Sequence, residues 1–145
     1  VQSRGGELEL RARWARGYEV IGSYSYNLAR VTRSNGADLG RRLPTMPLHL
    51  ASLWMTKQWQ VTPNSRIFVG PGIRYTGPSF DGNDALRTPA FTLYDAMIAW
   101  DRGAWRVSVN AANLTDRIHV AACLARGDCF FGARRNVVGG VSYRF

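Results

Sequence analysis

The sequence predicts an all-β fold, a transmembrane antiparallel up-and-down β-barrel, on three observations. Apolar and polar residues alternate with a period of two along most of the chain, which is the pattern of strands with two different faces. The connections between these strands alternate in length, so that all the short ones share one end. Aromatic residues concentrate near the strand ends, as they do in barrels that cross a membrane.

The composition excludes a disordered chain and a helical membrane protein. Of the 145 residues, 46% are hydrophobic and 20% are charged, which is enough apolar matter to fold. No run approaches the ~18 apolar residues of a membrane helix, and Val1–Leu10 lacks the apolar core of a secretory signal. A strand pattern that begins almost at once, at Glu7, indicates a fragment of a longer chain.

The net charge of +9 is compatible with binding to nucleic acid, to anionic lipid or to an acidic ligand, and it does not distinguish among these partners.

Seven segments carry the alternation. In chain order they are about Glu7–Trp14, Tyr18–Thr32, Leu48–Gln60, Arg66–Thr76, Thr92–Asp101, Trp105–Asn113 and the C-terminal stretch that ends at Phe145. In the first segment, for example, Leu8 and Leu10 alternate with Glu7 and Glu9. The third segment has the least clear facing, because Trp54 falls among its polar residues. We find no convincing helical period.

The connections are sorted by length. Short turns are predicted at Ala15–Gly17, about Val61–Ser65 and Arg102–Ala104, and long loops at Ser34–Met46, Gly77–Ala90 and about Thr115–Arg135. Successive connections of an up-and-down sheet lie at opposite ends, so every short turn lies at one end. Outer-membrane barrels have this arrangement, with short periplasmic turns and long extracellular loops. The physical reason for the barrel is that lipid contains no water to hydrogen-bond unpaired backbone N–H and C=O groups, so the strands must pair in a closed barrel.

The aromatic residues form two predicted belts. Trp14, Tyr18, Trp59, Trp100, Trp105 and Phe145 lie at the short-turn end, and Tyr26, Tyr75 and Tyr94 lie towards the long-loop end. The alternative is the core of a soluble β-barrel, whose aromatic residues need not cluster at strand ends. Bacterial barrels close with an even number of strands, at least eight. Seven strands therefore indicate the C-terminal portion of a larger barrel.

Five stretches between Tyr18 and Phe145 resemble the closing strands of TonB-dependent outer-membrane siderophore receptors. They are GYEVIGSYSYNLARV, RRLPTMPLHLASLWMTKQW, VGPGIRYTG, TPAFTLYDAMIAWDRGAWRVSVNAANLTDR and CLARGDCFFGARRNVVGGVSYRF. The tail that contains both cysteines is most similar to ferrichrome and other hydroxamate-siderophore receptors. His119 departs from the pattern, because the family usually has Tyr there.

The resemblance implies a 22-stranded barrel with a plugged lumen, of which residues 1–145 supply about the last seven strands and three outer loops. The plug domain, the TonB-contacting segment and the earlier strands would lie outside this chain. The implied function is import of a ferric siderophore, of hydroxamate type, across the outer membrane, energised through TonB. We expect no enzymatic activity and no cofactor, because no Ser/His/Asp or paired-carboxylate arrangement converges in the sequence. We expect no protein metal site, because the iron stays in its chelate. The alternatives are a passive porin-type channel and a soluble basic β-barrel that binds nucleic acid.

The resemblance also suggests particular site residues. Cys123 and Cys129 are expected to form a disulfide in the last outer loop, because the periplasmic route is oxidising; the alternative is two reduced thiols. Aromatic residues of the outer vestibule are candidates for contact with the siderophore, in the order Phe130 and Phe131, then Tyr75 and Phe80. The alternating end with Val141, Tyr143 and Phe145 resembles the signal read by the barrel assembly machinery.

Charged residues divide into inner and outer groups. Arginines on the polar face are expected to face the lumen and bond the plug or solvent; they are Arg11, Arg13, Arg74, Arg106 and Arg144. Asp95 is predicted to be isolated on the same face. Arginines of the outer loops are expected to pair with lipopolysaccharide phosphates or an anionic ligand, or to be solvated; they are Arg41, Arg42, Arg87, Arg126, Arg134 and Arg135. We expect no nucleic-acid partner.

Three short motifs have simpler explanations than their usual functions. The Asn113–Thr115 acceptor pattern for glycosylation lies where a strand turns into a loop, with Asn and Asp satisfying backbone groups. Arg126–Asp128 is expected to be a polar turn between the cysteines rather than an adhesion motif. Gly70–Gly72 lacks the Gly-Lys and helix of a phosphate loop and indicates close packing, beside the plug.

Overall fold

The computed structural model describes residues 1–14 and 16–145, and these form β-strands and loops without a helix. The long strands are β1 (Gln2–Trp14), β2 (Tyr18–Arg30), β3 (His49–Thr62), β4 (Ser65–Thr76), β7 (Phe91–Arg102), β8 (Trp105–Ala112) and β11 (Asn136–Tyr143). The short strands are β5 (Ser79–Phe80), β6 (Arg87–Thr88), β9 (Val120–Cys123) and β10 (Cys129–Phe131). Every long strand matches one predicted segment.

The long strands make one antiparallel sheet in the order β1-β2-β3-β4-β7-β8-β11. Each long strand pairs with the next long strand along the chain, which confirms the up-and-down connectivity. β1 and β11 each pair on one side only, so the sheet is open. The barrel is therefore not closed within this chain, and its total strand number stays a prediction.

The sorting of the connections is confirmed. Strand pairs end in close register at Trp14↔Tyr18, Thr62↔Ser65 and Arg102↔Trp105, which puts the short turns at one end of the sheet. The long loops leave from the opposite end. Ala15, the predicted start of the first turn, lies outside the described residues. Two of the long loops contain a small hairpin, β5–β6 and β9–β10, that the alternation did not predict.

The register gives the sheet one apolar face and one polar face. Each residue shares its face with its cross-strand partner, as in the row Gly22, Leu53, Ile73 and Tyr94. Most large side chains of the apolar face are exposed; among them are Leu8, Leu10, Leu53, Met55, Tyr94, Ile98, Val109 and Val141. By contrast, the buried strand residues Leu93, Asp95 and Ala99 lie on the polar face. In a soluble protein the apolar face of a sheet is buried in the core and the polar face is exposed. In this sheet the apolar face is the exposed one.

Trp54 belongs to the polar face of β3, as the alternation predicted, and its packing explains a glycine. Gly72 lies opposite Trp54, and a Cβ added at Gly72 would lie within 2.8 Å of three indole atoms. The glycine thus makes room for the indole of the neighbouring strand. Close packing inside the wall accounts for this part of the Gly70–Gly72 motif.

The first strand is longer than the prediction, because β1 begins at Gln2 and not at Glu7. Gly5 and Gly6 interrupt the apolar alternation, yet both pair with β2, opposite Asn27 and Tyr26. Backbone pairing therefore continues beyond the residues whose side chains alternate.

Within the described residues, no helix is long and apolar enough to cross a membrane.

Candidate functional site at the long-loop end

An ion pair between a half-exposed arginine and a buried carboxylate joins the polar face to the root of the last loop. The Arg74 guanidinium binds Asp95 through two hydrogen bonds of 2.5 and 2.9 Å, and Asp95 is only 5% exposed. Asp95 Oδ1 also accepts a hydrogen bond of 2.9 Å from the backbone N–H of Asn113. The prediction that Asp95 is isolated was wrong. Gly72 lies directly opposite Asp95 and offers no side chain, which leaves the diagonal position open to Arg74.

Three of the other four arginines predicted on the polar face find acidic partners within the wall, whereas among the described residues Arg144 forms no ion pair. Arg11 and Arg13 share Glu19 at 2.7 and 3.0 Å. Arg106 approaches Asp101 at 3.6 Å. In-wall pairing therefore supplies much of the counter-charge that the sequence analysis assigned to a plug or to solvent.

Asn113 closes the root of the loop that follows β8. Its side chain is 2% exposed, and its Nδ2 group donates to the carbonyls of Arg117 and Ala133 at 2.9 and 3.1 Å. Its Oδ1 atom accepts from the N–H of Arg117. One amide thus joins the outgoing and returning chains, and its φ of 51° is one that Asn tolerates better than most residues.

Asp116 makes a second clamp beside the first. Arg134 binds its carboxylate in bidentate fashion at 2.8 and 2.5 Å, and the N–H of Arg135 donates to it at 2.9 Å. These hydrogen bonds, above all that from Arg134, hold the pKa of Asp116 well below its usual value. The sequence predicted that Asn113 and Asp116 satisfy backbone groups where the strand turns into the loop, and their hydrogen bonds do so.

The disulfide between Cys123 and Cys129 closes the β9–β10 hairpin, with a Cα–Cα distance of 4.1 Å. The turn inside it is held by hydrogen bonds from Leu124 N to Asp128 O and from Gly127 N to Leu124 O. Arg126 and Asp128 form an exposed ion pair with each other. Their contacts make a local polar turn.

Phe131, one of the predicted ligand-contact residues, borders a cavity of about 220 Å³. Phe91 and His119 line the same cavity, and their rings lie 4.2 Å apart. Phe131 is 73% exposed and Phe130 is 51% exposed. Phe91 and His119 were not among the candidates. The replacement of the usual Tyr by His119 was the signal that marked this position.

The other two candidates lie elsewhere. Phe80 is covered by the guanidinium of Arg42, 4.1 Å from its ring centroid, and its carbonyl accepts from Thr45 N at 2.8 Å. Tyr75 shares the apolar face with Ile73 and lies opposite Ala51. The four aromatic candidates therefore do not converge on one cavity, and the position of Tyr75 favours the outer aromatic belt.

The three long loops contact each other. Arg41 donates to Asn83 at 2.7 Å, and Asn83 Nδ2 donates to the carbonyl of Ala125 at 3.3 Å. Asp81, 1% exposed, accepts from the N–H groups of Asn83 and Ala85 and so fixes the middle loop. These bonds join the loops into one ordered cap on this end of the sheet.

Aromatic rings and cations gather at the opposite, short-turn end. Trp14 stacks on Tyr18 with ring centroids 5.8 Å apart, and the Lys57 ammonium lies 3.8 Å above the Tyr18 ring. Trp105 contacts Tyr143 at 4.8 Å. Phe145 contacts Tyr143 edge-on at 5.7 Å, so the predicted terminal signal residues belong to this belt. Exposed amphipathic rings with nearby cations are typical of a membrane interface.

Comparison with known proteins identifies the family. Residues 1–114 match the model of the TonB dependent receptor-like β-barrel. The chain belongs to the TonB-dependent receptor family. Members of this family are transporters and receptors of the bacterial outer membrane, not enzymes, and a siderophore is a transported ligand and not a cofactor. The prediction of the fold class and of the family is confirmed.

Curated relatives of this receptor chain match it from end to end. It is 35% identical to the ferrioxamine receptor of Yersinia enterocolitica, covering 100% of this chain and 21% of that protein. It is 33% identical to the ferrichrome outer membrane transporter/phage receptor of Escherichia coli K12, covering 100% of this chain and 20% of that protein. The chain thus spans about a fifth of the length of these relatives.

Solved receptor structures share the fold. The ferric preacinetobactin receptor BauA of Acinetobacter baumannii superposes with a TM-score of 0.85 at 20% identity, over 97% of this chain and 22% of that one. The ferric-catecholate import receptor Fiu of E. coli K12 gives a TM-score of 0.78 at 26% identity, over 99% of this chain and 21% of that one. In a receptor barrel, an exposed apolar face is the face that meets lipid.

The potential metal ligands of the described residues are dispersed. In the part of the chain that the structure describes, no three His, Cys, Asp or Glu side chains come together as a ligand set. Both cysteines are in the disulfide. His49 and His119 lie on different elements, at the start of β3 and in the last loop.

Proposed function

We propose that this chain is part of an outer-membrane receptor that imports a ferric siderophore of the hydroxamate class, energised through TonB. The observation that carries the proposal is the match of the whole chain to ferrioxamine and ferrichrome receptors at 35 and 33% identity. The exposed apolar face and polar inner face support a place in a lipid-embedded wall.

In this proposal, residues 1–145 form the C-terminal part of a 22-stranded barrel. The plug domain and the segment that contacts TonB belong to other parts of the full-length receptor. The polar face, with its Arg74–Asp95 pair, lines the lumen. The ordered cap of long loops faces the medium and takes part in capturing the chelate.

Ligand contact is assigned to the aromatic cavity at the last loop. Phe131 with Phe91 and His119 offers ring faces and an imidazole to the organic shell of the chelate, and Phe130, between the disulfide and Phe131 in the chain, is the second candidate. Phe80 stays a weaker candidate, because Arg42 covers its ring.

Two further partners complete the proposal. Outer-membrane lipid, including lipopolysaccharide, surrounds the apolar face. The barrel assembly machinery reads the alternating end with Val141, Tyr143 and Phe145, whose side chains are all exposed. Nucleic acid is not a proposed partner.

The test is iron uptake by cells that lack the receptor and carry the full-length gene on a plasmid. We expect uptake of radioactive iron from ferrioxamine and ferrichrome and none from a ferric catecholate. Deletion of TonB should abolish this uptake. A passive channel would instead keep its uptake without TonB, and growth only on the catecholate would contradict the hydroxamate assignment.

The double variant Phe131→Ala/Phe91→Ala tests the aromatic cavity. We expect its half-saturating chelate concentration to rise about tenfold, because two aromatic contacts are each worth ~0.5–1.5 kcal/mol. The control is Phe68→Ala on β4, since Phe68 lies on the polar face towards the short turns, away from the cavity.

A further inference from the structure

An exposed turn in the first long loop connects an Asn-Gly dipeptide to a serine and a carboxylate. Asn35 and Gly36 are both exposed and lie in the loop between β2 and β3. The N–H of Gly36 donates a hydrogen bond of 3.0 Å to Ser34 Oγ, and the Ser34 hydroxyl donates in turn to Asp38 Oδ1. The backbone amide after Asn35 is therefore joined to a carboxylate through one hydroxyl. We call Ser34, Gly36 and Asp38 the amide relay.

The chemistry that this turn favours is loss of ammonia from the Asn35 side chain. The backbone nitrogen that follows an asparagine can attack the side-chain carbonyl carbon and close a succinimide ring. An amide nitrogen is a weak nucleophile until its proton is removed, and a neighbouring base that a third group holds in place activates such nucleophiles. In the amide relay Asp38 is the base, and the Ser34 hydroxyl carries the proton between them.

The base is present in its charged form. The hydrogen bond from the Ser34 hydroxyl holds the pKa of Asp38 below its usual value, because that bond favours the ionised carboxylate. Asp38 also belongs to an outer loop and is therefore ionised in neutral medium.

The missing side chain of Gly36 allows the carboxylate to come this close. A Cβ added at Gly36 would lie 3.0 Å from Asp38 Oδ1 and 3.4 Å from Ser34 Oγ. The first of these distances is shorter than a Cβ and an oxygen normally allow, so a larger residue would push the base away. Glycine also leaves its own nitrogen unshielded towards the Asn35 side chain.

Most other asparagines are followed by an amide that the fold immobilises. Asn35 is the only one of the seven asparagines that precedes a glycine. The residues after four of the others lie in paired strands, and the N–H after Asn113 donates to the carbonyl of Tyr94 at 2.6 Å. A backbone amide held in this way is not free to turn towards the preceding side chain. The four asparagines that precede paired strand residues are Asn27, Asn64, Asn110 and Asn136.

We propose that Asn35 is a self-modification site, at which the amide relay converts asparagine into aspartate and isoaspartate. The Gly36 nitrogen bonds to the side-chain carbonyl carbon of Asn35 while its proton passes to Ser34 and the hydroxyl proton passes to Asp38. The bond from that carbon to the side-chain nitrogen then breaks, and the nitrogen leaves as ammonia with the proton that Asp38 held. Water opens the succinimide at either of its carbonyls. Asparagine and water thus give aspartate or isoaspartate and ammonia.

The modification changes the charge and the backbone of the turn. One carboxylate is gained, so the net charge of the chain falls by one from +9 to +8. In the isoaspartate product the backbone runs through the side-chain methylene. The N–H of Arg41 bonds the carbonyl of Asp38 at 3.0 Å, and the Arg41 side chain bonds Asn83. The altered turn therefore lies beside the contact between the first and middle long loops. The reaction needs no transported ligand, so the site does not rest on the proposed function.

The test is the conversion of Asn35 in the folded full-length receptor during incubation at neutral pH. Trypsin releases the peptide Ser34–Arg41, because one arginine precedes it and another ends it, and mass spectrometry of this peptide gives the converted fraction. Digestion in heavy-oxygen water marks the molecules that change during the digestion itself. The relay variants are Ser34→Ala and Asp38→Ala. The control is Asp84→Ala, which removes a carboxylate of the middle long loop outside the relay.

We expect conversion to slow about tenfold or more in both relay variants, because a positioned base contributes ~10²–10⁴-fold and solvent water replaces it only in part. Asp84→Ala should convert like the unaltered receptor. In denaturant the relay is absent, so all four proteins should convert at similar rates. A folded receptor that keeps Asn35 intact while the unfolded receptor converts would overturn the site. Equal rates in the folded receptor and its relay variants, or an equal slowing in Asp84→Ala, would overturn the role of the relay.

Discussion

At the residue scale, one carboxylate connects the wall to the outer loops. Asp95 accepts hydrogen bonds from Arg74 on the luminal face and from the backbone of Asn113, and Asn113 in turn bonds both ends of the last loop. The loop root is therefore built on the wall and does not depend on the loop tip. A polar chain of this kind rigidifies a structure when every member is satisfied.

Replacing Asp95 should break this connection. Asp95→Ala leaves the half-exposed Arg74 without its carboxylate and the buried Asn113 N–H without an acceptor, and the unsatisfied buried N–H alone costs ~1–3 kcal/mol. We expect the folded full-length receptor to lose its compact, heat-modifiable gel mobility at a clearly lower temperature. Asp128→Ala, which removes an exposed ion pair at the loop tip, should change that temperature little. Equal shifts in the two variants would contradict the role given to Asp95.

Asp116 makes the loop root resistant to acid. Its folded-state pKa lies below its usual 3.8, mainly because Arg134 bonds the ionised form. A carboxyl with a lowered folded pKa stabilises above the unfolded pKa, and this stability is lost only as the pH falls through the folded pKa. Hydrogen exchange at the Arg135 amide, corrected for intrinsic rate, should thus show unchanged protection from pH 7 to pH 4.5. In Asp116→Asn protection should be weaker at both values; a loss between pH 7 and 5 in the unaltered protein would refute this assignment.

At the element scale, the β9–β10 hairpin depends on its disulfide. The hairpin is short and mostly exposed, and isolated two-stranded hairpins are marginal in water. The sequence separation of Cys123 and Cys129 is 6, and closing so short a loop is worth ~2 kcal/mol in the chain-entropy account. Trypsin should therefore cut at Arg126 about ten- to thirtyfold faster in Cys123→Ser/Cys129→Ser. Intact cells should resist thiol labelling until reductant is added; immediate labelling would contradict the bond.

Some elements of the fold could be predicted from the sequence and others could not. The seven long strands were predictable because each carries a two-faced alternation over eight or more residues. The two loop hairpins were not, since their strands have two to four residues and their order comes from contacts such as Asn83 with Ala125. The partner of Asp95 was missed for a related reason. Arg74 is the diagonal neighbour of Asp95, next to the Gly72 position. Such a pair can be identified only when the register of the two strands is known.

The same limit applies to the candidate site. Phe130 and Phe131 could be proposed from the sequence because they follow the disulfide directly. Phe91 could not, because it comes from a different strand and meets His119 only in the folded chain. The facing of Tyr75 was readable from its own strand, where Ile73 and Tyr75 alternate with Arg74. That alternation predicts the outer belt, where the register now puts this ring.

At the scale of the whole molecule, the sheet is stable in only one kind of surroundings. Its apolar face is exposed across all seven long strands, whereas burial and ion pairs concentrate on the polar face. In water such a continuous apolar surface would aggregate. In a closed barrel the same surface is covered by lipid, and both open edges find partner strands.

This inversion predicts opposite responses to one substitution on the two faces. Ile98 lies in the middle of β7 on the apolar face and is 51% exposed, and Asn110 lies on the polar face of β8, exposed as well. Ile98→Arg puts a guanidinium near the bilayer midplane, which costs ~2–4 kcal/mol, so folded receptor in the outer membrane should fall severalfold. Asn110→Arg should keep most of it, because the polar face tolerates charge. The measurement is the heat-modifiable fraction of the full-length receptor in isolated outer membranes. If Asn110→Arg were the more damaging change, the apolar face would be the inside of the molecule, and the lipid-facing assignment would be wrong.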